Sequence, residues 1–137
     1  MYMSSFENAK SFLDSEFSKY DMEHNINCNS NRFSIMAYDN ANLIGAITFN
    51  IFYGEAYIDD IAVKKEYRNS GVGTKLINTV EMFCKDRKVS HITLNTYEFQ
   101  APKFYEKLGY KIELIRKNSN NSKLDRYYFI KYLIKRK

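Results

Sequence analysis

Residues 58–76 read IDDIAVKKEYRNSGVGTKL, and this stretch decides the fold. A β-branched run, Ile58 to Val63, predicts a strand. A short basic loop follows, Lys64 to Ser70. Gly71 and Gly73 then stand one residue apart, and apolar periodicity at Val72, Leu76, Ile77, Val80, Phe83 and Cys84 predicts a helix from about 71 to 87. A strand that runs through a glycine loop into a helix presents free backbone N–H groups and the positive end of a helix dipole to whatever lies above it. Glycines let the backbone approach an anion closely, and Arg68 adds a guanidinium suited to phosphate. The expected ligand of this segment is a phosphate or pyrophosphate. Neither the P-loop signature nor the three-glycine dinucleotide fingerprint is present.

Upstream, Phe6, Ala9, Leu13, Phe17 and Tyr20 repeat at helical spacing, and Ser4-Ser5-Phe6-Glu7 reads as a capping box with Ser4 as the cap. That helix is expected to end near Tyr20. An Asn-rich loop, 25–31, leads to three strands, 32–38, 43–52 and 55–63, joined by short turns as an antiparallel meander. Downstream of the central helix, His91 to Asn95 reads as a short strand. Pro102 fits the first turn of another helix, with Phe104 and Leu108 as its inward pair and Gly109 just past its end. Strands 110–116 and 126–134 flank a polar turn at 117–123. The order αβββαβαββ predicts an α+β fold: one domain over residues 1–137, with a mixed, mostly antiparallel central sheet flanked by helices.

Composition agrees with a packed domain. The chain has 137 residues, of which 16% are aromatic, so it can build a core and is not disordered. No basic segment followed by an apolar run marks a secretory signal, and the longest apolar stretch, 43–54, is too short and too polar to span a membrane. The default expectation is a soluble cytoplasmic protein without membrane partners. Cys28 and Cys84 form no motif; Cys84 falls on an apolar helix face and reads as a core thiol. His24 and His91 read as surface residues. No cluster has metal-ligand spacing, so no metal is expected. Charge is uneven: residues 1–63 carry three basic and nine acidic side chains, residues 64–137 eighteen basic and seven acidic. The basic residues are scattered over several elements without a nucleic-acid motif, which argues against nucleic acid as the partner.

Two texts carry a family resemblance. Arg68-Asn69-Ser70-Gly71-Val72-Gly73, between a strand and a helix, resembles the cofactor motif of the GNAT family of N-acetyltransferases. About thirty residues on, Ala101-Pro102-Lys103-Phe104-Tyr105-Glu106-Lys107-Leu108-Gly109-Tyr110 resembles that family's second motif. Ile58 to Val63 resembles its fourth strand. Phe99-Gln100-Ala101-Pro102 with Arg126-Tyr127-Tyr128-Phe129-Ile130 resembles a bacterial subgroup of undefined substrate. The resemblance covers residues 32–134 well; the N-terminal part is shorter than the family's.

The resemblance implies the GNAT fold and an acetyl-CoA-dependent N-acetyltransferase that moves an acetyl group to a primary amine of a small molecule or peptide through a ternary complex. It implies that Ile61, Ala62 and Val63 bond the pantetheine arm of coenzyme A, that Arg68, Asn69, Ser70, Gly71, Val72, Gly73 and Thr74 hold the pyrophosphate, and that Phe104 and Tyr105 lie beside the cofactor. Tyr105 matches the family's general-acid tyrosine. For the base, Asp59 and Asp60 are conspicuous, because adjacent carboxylates near a strand's end are unusual in a buried sheet. Adjacent strand residues point to opposite faces, so one of them faces the substrate unless a bulge intervenes. Glu98 and ordered water are the other candidates. Residues 17–26, 50–55 and 117–126 are expected to build the acceptor pocket. The acidic N-terminal half would then favour a cationic amine. The resemblance allows a homodimer, although no interface is legible. A non-catalytic acyl-CoA-binding module or a partner-binding subunit on the same fold is the alternative.

Overall fold

A computed structural model describes residues 1–27 and 30–134; Cys28 lies outside the described residues. The chain forms α1 (Phe6–Glu23), β1 (Asn31–Asp39), β2 (Asn42–Phe52), β3 (Glu55–Val63), α2 (Val72–Asp86), β4 (His91–Tyr97), α3 (Lys103–Lys107), β5 (Lys111–Arg116) and β6 (Arg126–Tyr132), with three short 3-10 turns between them. The six strands make one sheet in the order β1-β2-β3-β4-β6-β5. Only β3 and β4 pair in parallel; every other pair is antiparallel. A parallel pair needs a crossover, and α2 supplies it. The expected α+β architecture and element order are the ones observed.

The core lies between the sheet and α2. Leu76, Ile77, Val80 and Cys84 recur at helical spacing, so they form one stripe that the sheet buries. Phe83 beside that stripe meets the Phe33 and Phe49 rings at centroid distances of 4.8 and 5.6 Å. Burial pushes the Cys84 thiol up to about 11, which suits an inert core residue. Ile77 is fully buried at the centre of this layer. Ile77→Ala is expected to cost about 2–5 kcal/mol of stability, read as a fall in the urea midpoint with an unchanged slope.

A buried polar network fixes α3 to the same core. Glu81, 5% exposed, accepts from the Tyr110 hydroxyl (3.0 Å) and from Lys131 Nζ (2.9 Å). Lys131 also donates to the Leu108 carbonyl at 2.8 Å, which closes the C-terminal end of α3. Each ionic group has a partner, which offsets the cost of burying charge.

Four local expectations are corrected. Ser5, not Ser4, caps α1: its side chain accepts from the Asn8 N–H, and Ser4 Oγ accepts from the Asn8 side-chain amide instead. α1 continues past Tyr20 to Glu23, and none of its residues is buried; its apolar stripe has the right period but no covering layer. In α3 the buried side chain is Tyr105, while Phe104 and Leu108 are half-buried against the core. β4 runs two residues further than expected, to Tyr97, and β6 stops at Tyr132.

Candidate active site

β3 and β4 pair over only two positions, Ala56 with Ile92 and Tyr57 with Thr93. Beyond them the strands separate and leave a wedge in the middle of the sheet. Opposite the wedge, β2 and β3 shift register: Thr48 faces Asp60, but Phe49 faces Ile58, so Asp59 has no partner. This is a β-bulge, which inserts one residue and bends the strand. Its consequence is direct. Ile58 and Ile61 both turn toward the core, and Asp59 and Asp60 are both exposed. The simple alternation that would put one carboxylate on each face does not apply here.

The wedge opens into a cleft of about 770 Å³ lined on one side by Ile58 to Val63 and on the other by Leu94 to Tyr97. That volume is within the range of small-molecule and cofactor sites. Its far end is the loop and first turn of α2: Arg68, Asn69, Gly71, Val72, Gly73 and Thr74 all line it. Gly71 is the N-cap of α2 with φ +87°, a left-handed conformation that side chains disfavour, and a Cβ built there meets nothing within 4 Å. At Gly73 a Cβ would lie 3.2 Å from Phe104 Cζ, so this glycine lets α2 seat against α3. Lys75 N–H is the first to bond back, to the Gly71 carbonyl at 3.0 Å. By helix geometry the N–H groups before it have no intrahelical acceptor, and they sit at the positive end of the dipole. Arg68 Nε donates to the Val63 carbonyl at 3.2 Å, which ties the loop to the end of β3.

Tyr105 and Phe104 close the cleft from the α3 side. The Tyr105 ring is wedged among Phe104, Tyr110 and Phe129, with centroids at 5.1, 6.3 and 5.7 Å. Burial raises the phenol's pKa above its ordinary value, because a buried phenolate loses its hydration. Among the described residues its hydroxyl has no protein hydrogen-bond partner.

On the opposite face of the sheet, Asp59 accepts from the Asn50 side chain at 2.5 Å. Tyr57 accepts from the Asn95 amide at 2.7 Å. Tyr97 and Arg126 are joined by a hydrogen bond and complete this rim of the cleft.

Thirteen of the fifteen residues singled out from sequence line the cleft, and two do not. Ser70 Oγ donates to the Tyr67 carbonyl inside its own loop. Glu98 is exposed on the turn after β4, outside the cleft lining, and its charge raises the pKa of the Tyr127 phenol. Sequence reasoning passed over Asn95, Tyr97 and Gln100 as site residues, and it held Arg126 only as the last residue of the expected acceptor segment 117–126. Gln100 Oε1 accepts from Thr96 Oγ1 at 3.2 Å and from the Tyr97 N–H at 3.1 Å, and so shapes the end of β4. Only the two extra residues of β4 bring this group to the rim, and no sequence signal marks them.

These features suit a long anionic ligand carried in a slot of mixed polarity. The profile of the "Acetyltransferase (GNAT) family" matches residues 2–110. The chain is 36% identical over 85 residues to the N-alpha-acetyltransferase 30 of Schizosaccharomyces pombe, an alignment that covers 57% of each protein. Alignments with the curated relatives span 53–63% of those relatives' own length. Among solved structures, an acetyltransferase from Bacillus cereus superposes with a TM-score of 0.81 at 20% identity, over 97% of both chains. A Bacillus anthracis protein solved with acetyl coenzyme A superposes with a TM-score of 0.67 at 31% identity, over 76% of this chain and 64% of that one. With the sheet split at β3 and β4, the glycine loop above the split and a profile match over most of its length, this chain belongs to the acetyltransferase (GNAT) family.

Proposed function

We propose that this protein transfers an acetyl group from acetyl-CoA to a primary amine in a ternary complex. The observation that carries the reading is the cleft itself, which takes in the N-terminus of α2, the β3 bulge and Tyr105. The residues fit the ligand. Gly71 and Gly73 leave the backbone of the first turn open, and side chains there would fill the approach or push against Phe104. The N–H groups of Val72, Gly73 and Thr74, with Arg68 and Asn69, hold the pyrophosphate. Ile61, Ala62 and Val63 offer an unpaired strand edge to the pantetheine arm. Acetyl-CoA supplies a thioester whose carbonyl a neutral amine attacks.

The protein's contribution is then positioning and proton control. The Tyr105 phenol stays protonated because it is buried, and it donates to the departing sulfur. Asp59 and Asp60 both face the open side because of the bulge, so either can take the ammonium proton directly or through water. Asp59 is oriented by Asn50.

A thiol-release assay with acetyl-CoA over a broad amine panel tests the reading. Release with at least one amine is expected; a protein that binds CoA and releases no thiol with any acceptor is a binding module instead. The pH dependence is specific. A raised phenol pKa keeps the neutral form dominant up to and beyond about pH 10. Turnover is expected to rise with the fraction of neutral amine and to show no descending limb below about pH 10. A descending limb near neutrality, removed in Tyr105→Phe, would contradict this assignment.

A further inference from the structure

A second cavity, of about 260 Å³, adjoins the cleft at the end of the β5–β6 turn and shares Tyr97 and Arg126 with it. Arg116, Lys117, Asn118 and Leu124 complete its wall. Three of its six lining residues are cations. Resting on the acetyltransferase reading above, we propose that this cavity is an anion subsite for the acceptor: it takes a carboxylate or phosphate group that the acceptor amine carries.

Three observations support it. The first is how the cations are held. Arg126 donates to the Tyr97 hydroxyl, with its guanidinium over the Tyr97 ring at 4.7 Å. Arg116 Nη1 donates to the Tyr128 hydroxyl at 3.1 Å, with its guanidinium over the Tyr128 ring at 5.2 Å. Arg116 and Arg126 pair directly across β5 and β6, and each guanidinium is held by its own phenol. The phenol hydroxyls orient them, and each fork keeps further N–H donors for a ligand.

The second observation is what the cations lack. Among the described residues the ion pairs are Lys10–Asp14, Lys19–Glu16, His91–Glu55 and Lys131–Glu81, and none involves Arg116, Lys117 or Arg126. Asp125 is next in sequence to Arg126, but its Oδ1 accepts from the Asn118 N–H at 2.8 Å, where it shapes the turn. Like charges gathered without a counter-ion repel one another, and a bound anion relieves that repulsion.

The third is placement. Tyr97 pairs with Arg126, and Asn95 with Tyr128, across β4 and β6, so alternation puts all four on the face that also carries Tyr57. Asp59 and Asp60 line the same cleft that Tyr97 and Arg126 border. An acceptor with an amine at one end and an anion at the other would meet carboxylates at its amine and guanidiniums at its anion. This selects a zwitterionic acceptor rather than the simple cationic amine that the acidic N-terminal half suggests.

The test is thiol release over matched acceptors, each differing in one group: amino acids against their carboxamides, and phosphoethanolamine against ethanolamine. The wild-type protein is expected to use one anionic member at least about tenfold better than its uncharged partner, and the two series separate carboxylate from phosphate. Arg116→Gln/Lys117→Gln is expected to raise KM for anionic acceptors by about ten- to a hundredfold more than for uncharged ones, with CoA affinity unchanged. Equal use of both members of each pair, or an equal KM rise for both, overturns the subsite. A loss of CoA affinity in the variant also overturns it, since the cavity would then serve the cofactor. If CoA binds and no amine releases thiol, the acetyltransferase reading has failed. The subsite is then decided by titrating the CoA-saturated protein with inorganic phosphate and following backbone amides by NMR. Shifts at 116–118 that vanish in the double variant support it; their absence overturns it.

Discussion

Gly73→Glu is expected to weaken acetyl-CoA binding by at least about a hundredfold, measured by calorimetric titration. Two effects add. A Cβ at this position already lies 3.2 Å from Phe104 Cζ, so the side chain is driven out into the cleft. There its carboxylate faces the pyrophosphate. Two unit charges about 4 Å apart repel by roughly 1 kcal/mol in bulk water and about 4 kcal/mol near a protein surface, and each 1.4 kcal/mol is about tenfold in affinity. Gly71→Glu should act similarly, with added strain of roughly 1–2 kcal/mol from a left-handed backbone. The alanine variants separate the causes. Gly71→Ala meets open space and bears only strain; Gly73→Ala needs only a small displacement of the Phe104 ring. Both should lose less than about tenfold, because neither adds charge. Glutamate variants that bind as well as wild type would remove this loop from the site.

Tyr105→Phe is expected to lower kcat by about 10²–10⁴, the usual range for a positioned acid, with little change in CoA affinity. The substitution is clean. The ring fills its place among Phe104, Tyr110 and Phe129, and the hydroxyl makes no protein hydrogen bond among the described residues. Phenylalanine keeps the packing and loses only the proton. Rapid-quench measurement of the chemical step is the readout, since slow product release would mask the effect in steady state. An unchanged chemical step would remove Tyr105 from the mechanism.

The sequence and the structure agree where local chemistry dictates geometry. Glycine at 71 and 73 marks a close-approach loop because few other residues suit a left-handed cap or a tight helix contact, and the cleft lies above that loop. Pro102 and Gly109 likewise bracket α3 where expected, but its inward side was misread: the expected pair was Phe104 and Leu108, and the buried side chain is Tyr105. What was not legible depended on register. No residue type announces that Asp59 is the bulged position, yet the bulge puts both aspartates on the open face. Glu98 looked equivalent to them in the text, but the turn after β4 leaves it exposed outside the cleft lining. The cation cluster was invisible for a third reason. Arg116 and Arg126 are ten positions apart on two strands, and only their pairing across β5 and β6 puts them side by side. α1 shows the converse: its sequence period is correct, but period alone does not supply a covering partner.

The central claim is that one continuous cleft holds acetyl-CoA with its pyrophosphate at the first turn of α2 and its thioester beside Tyr105. A crystal structure of the CoA complex tests it most directly. The account predicts phosphate oxygens within hydrogen-bonding distance of the Val72, Gly73 and Thr74 N–H groups, and the sulfur in the wedge between β3 and β4, next to the Tyr105 hydroxyl. Coenzyme A bound elsewhere on the surface, or a β3–β4 wedge left empty at saturating ligand, would contradict it.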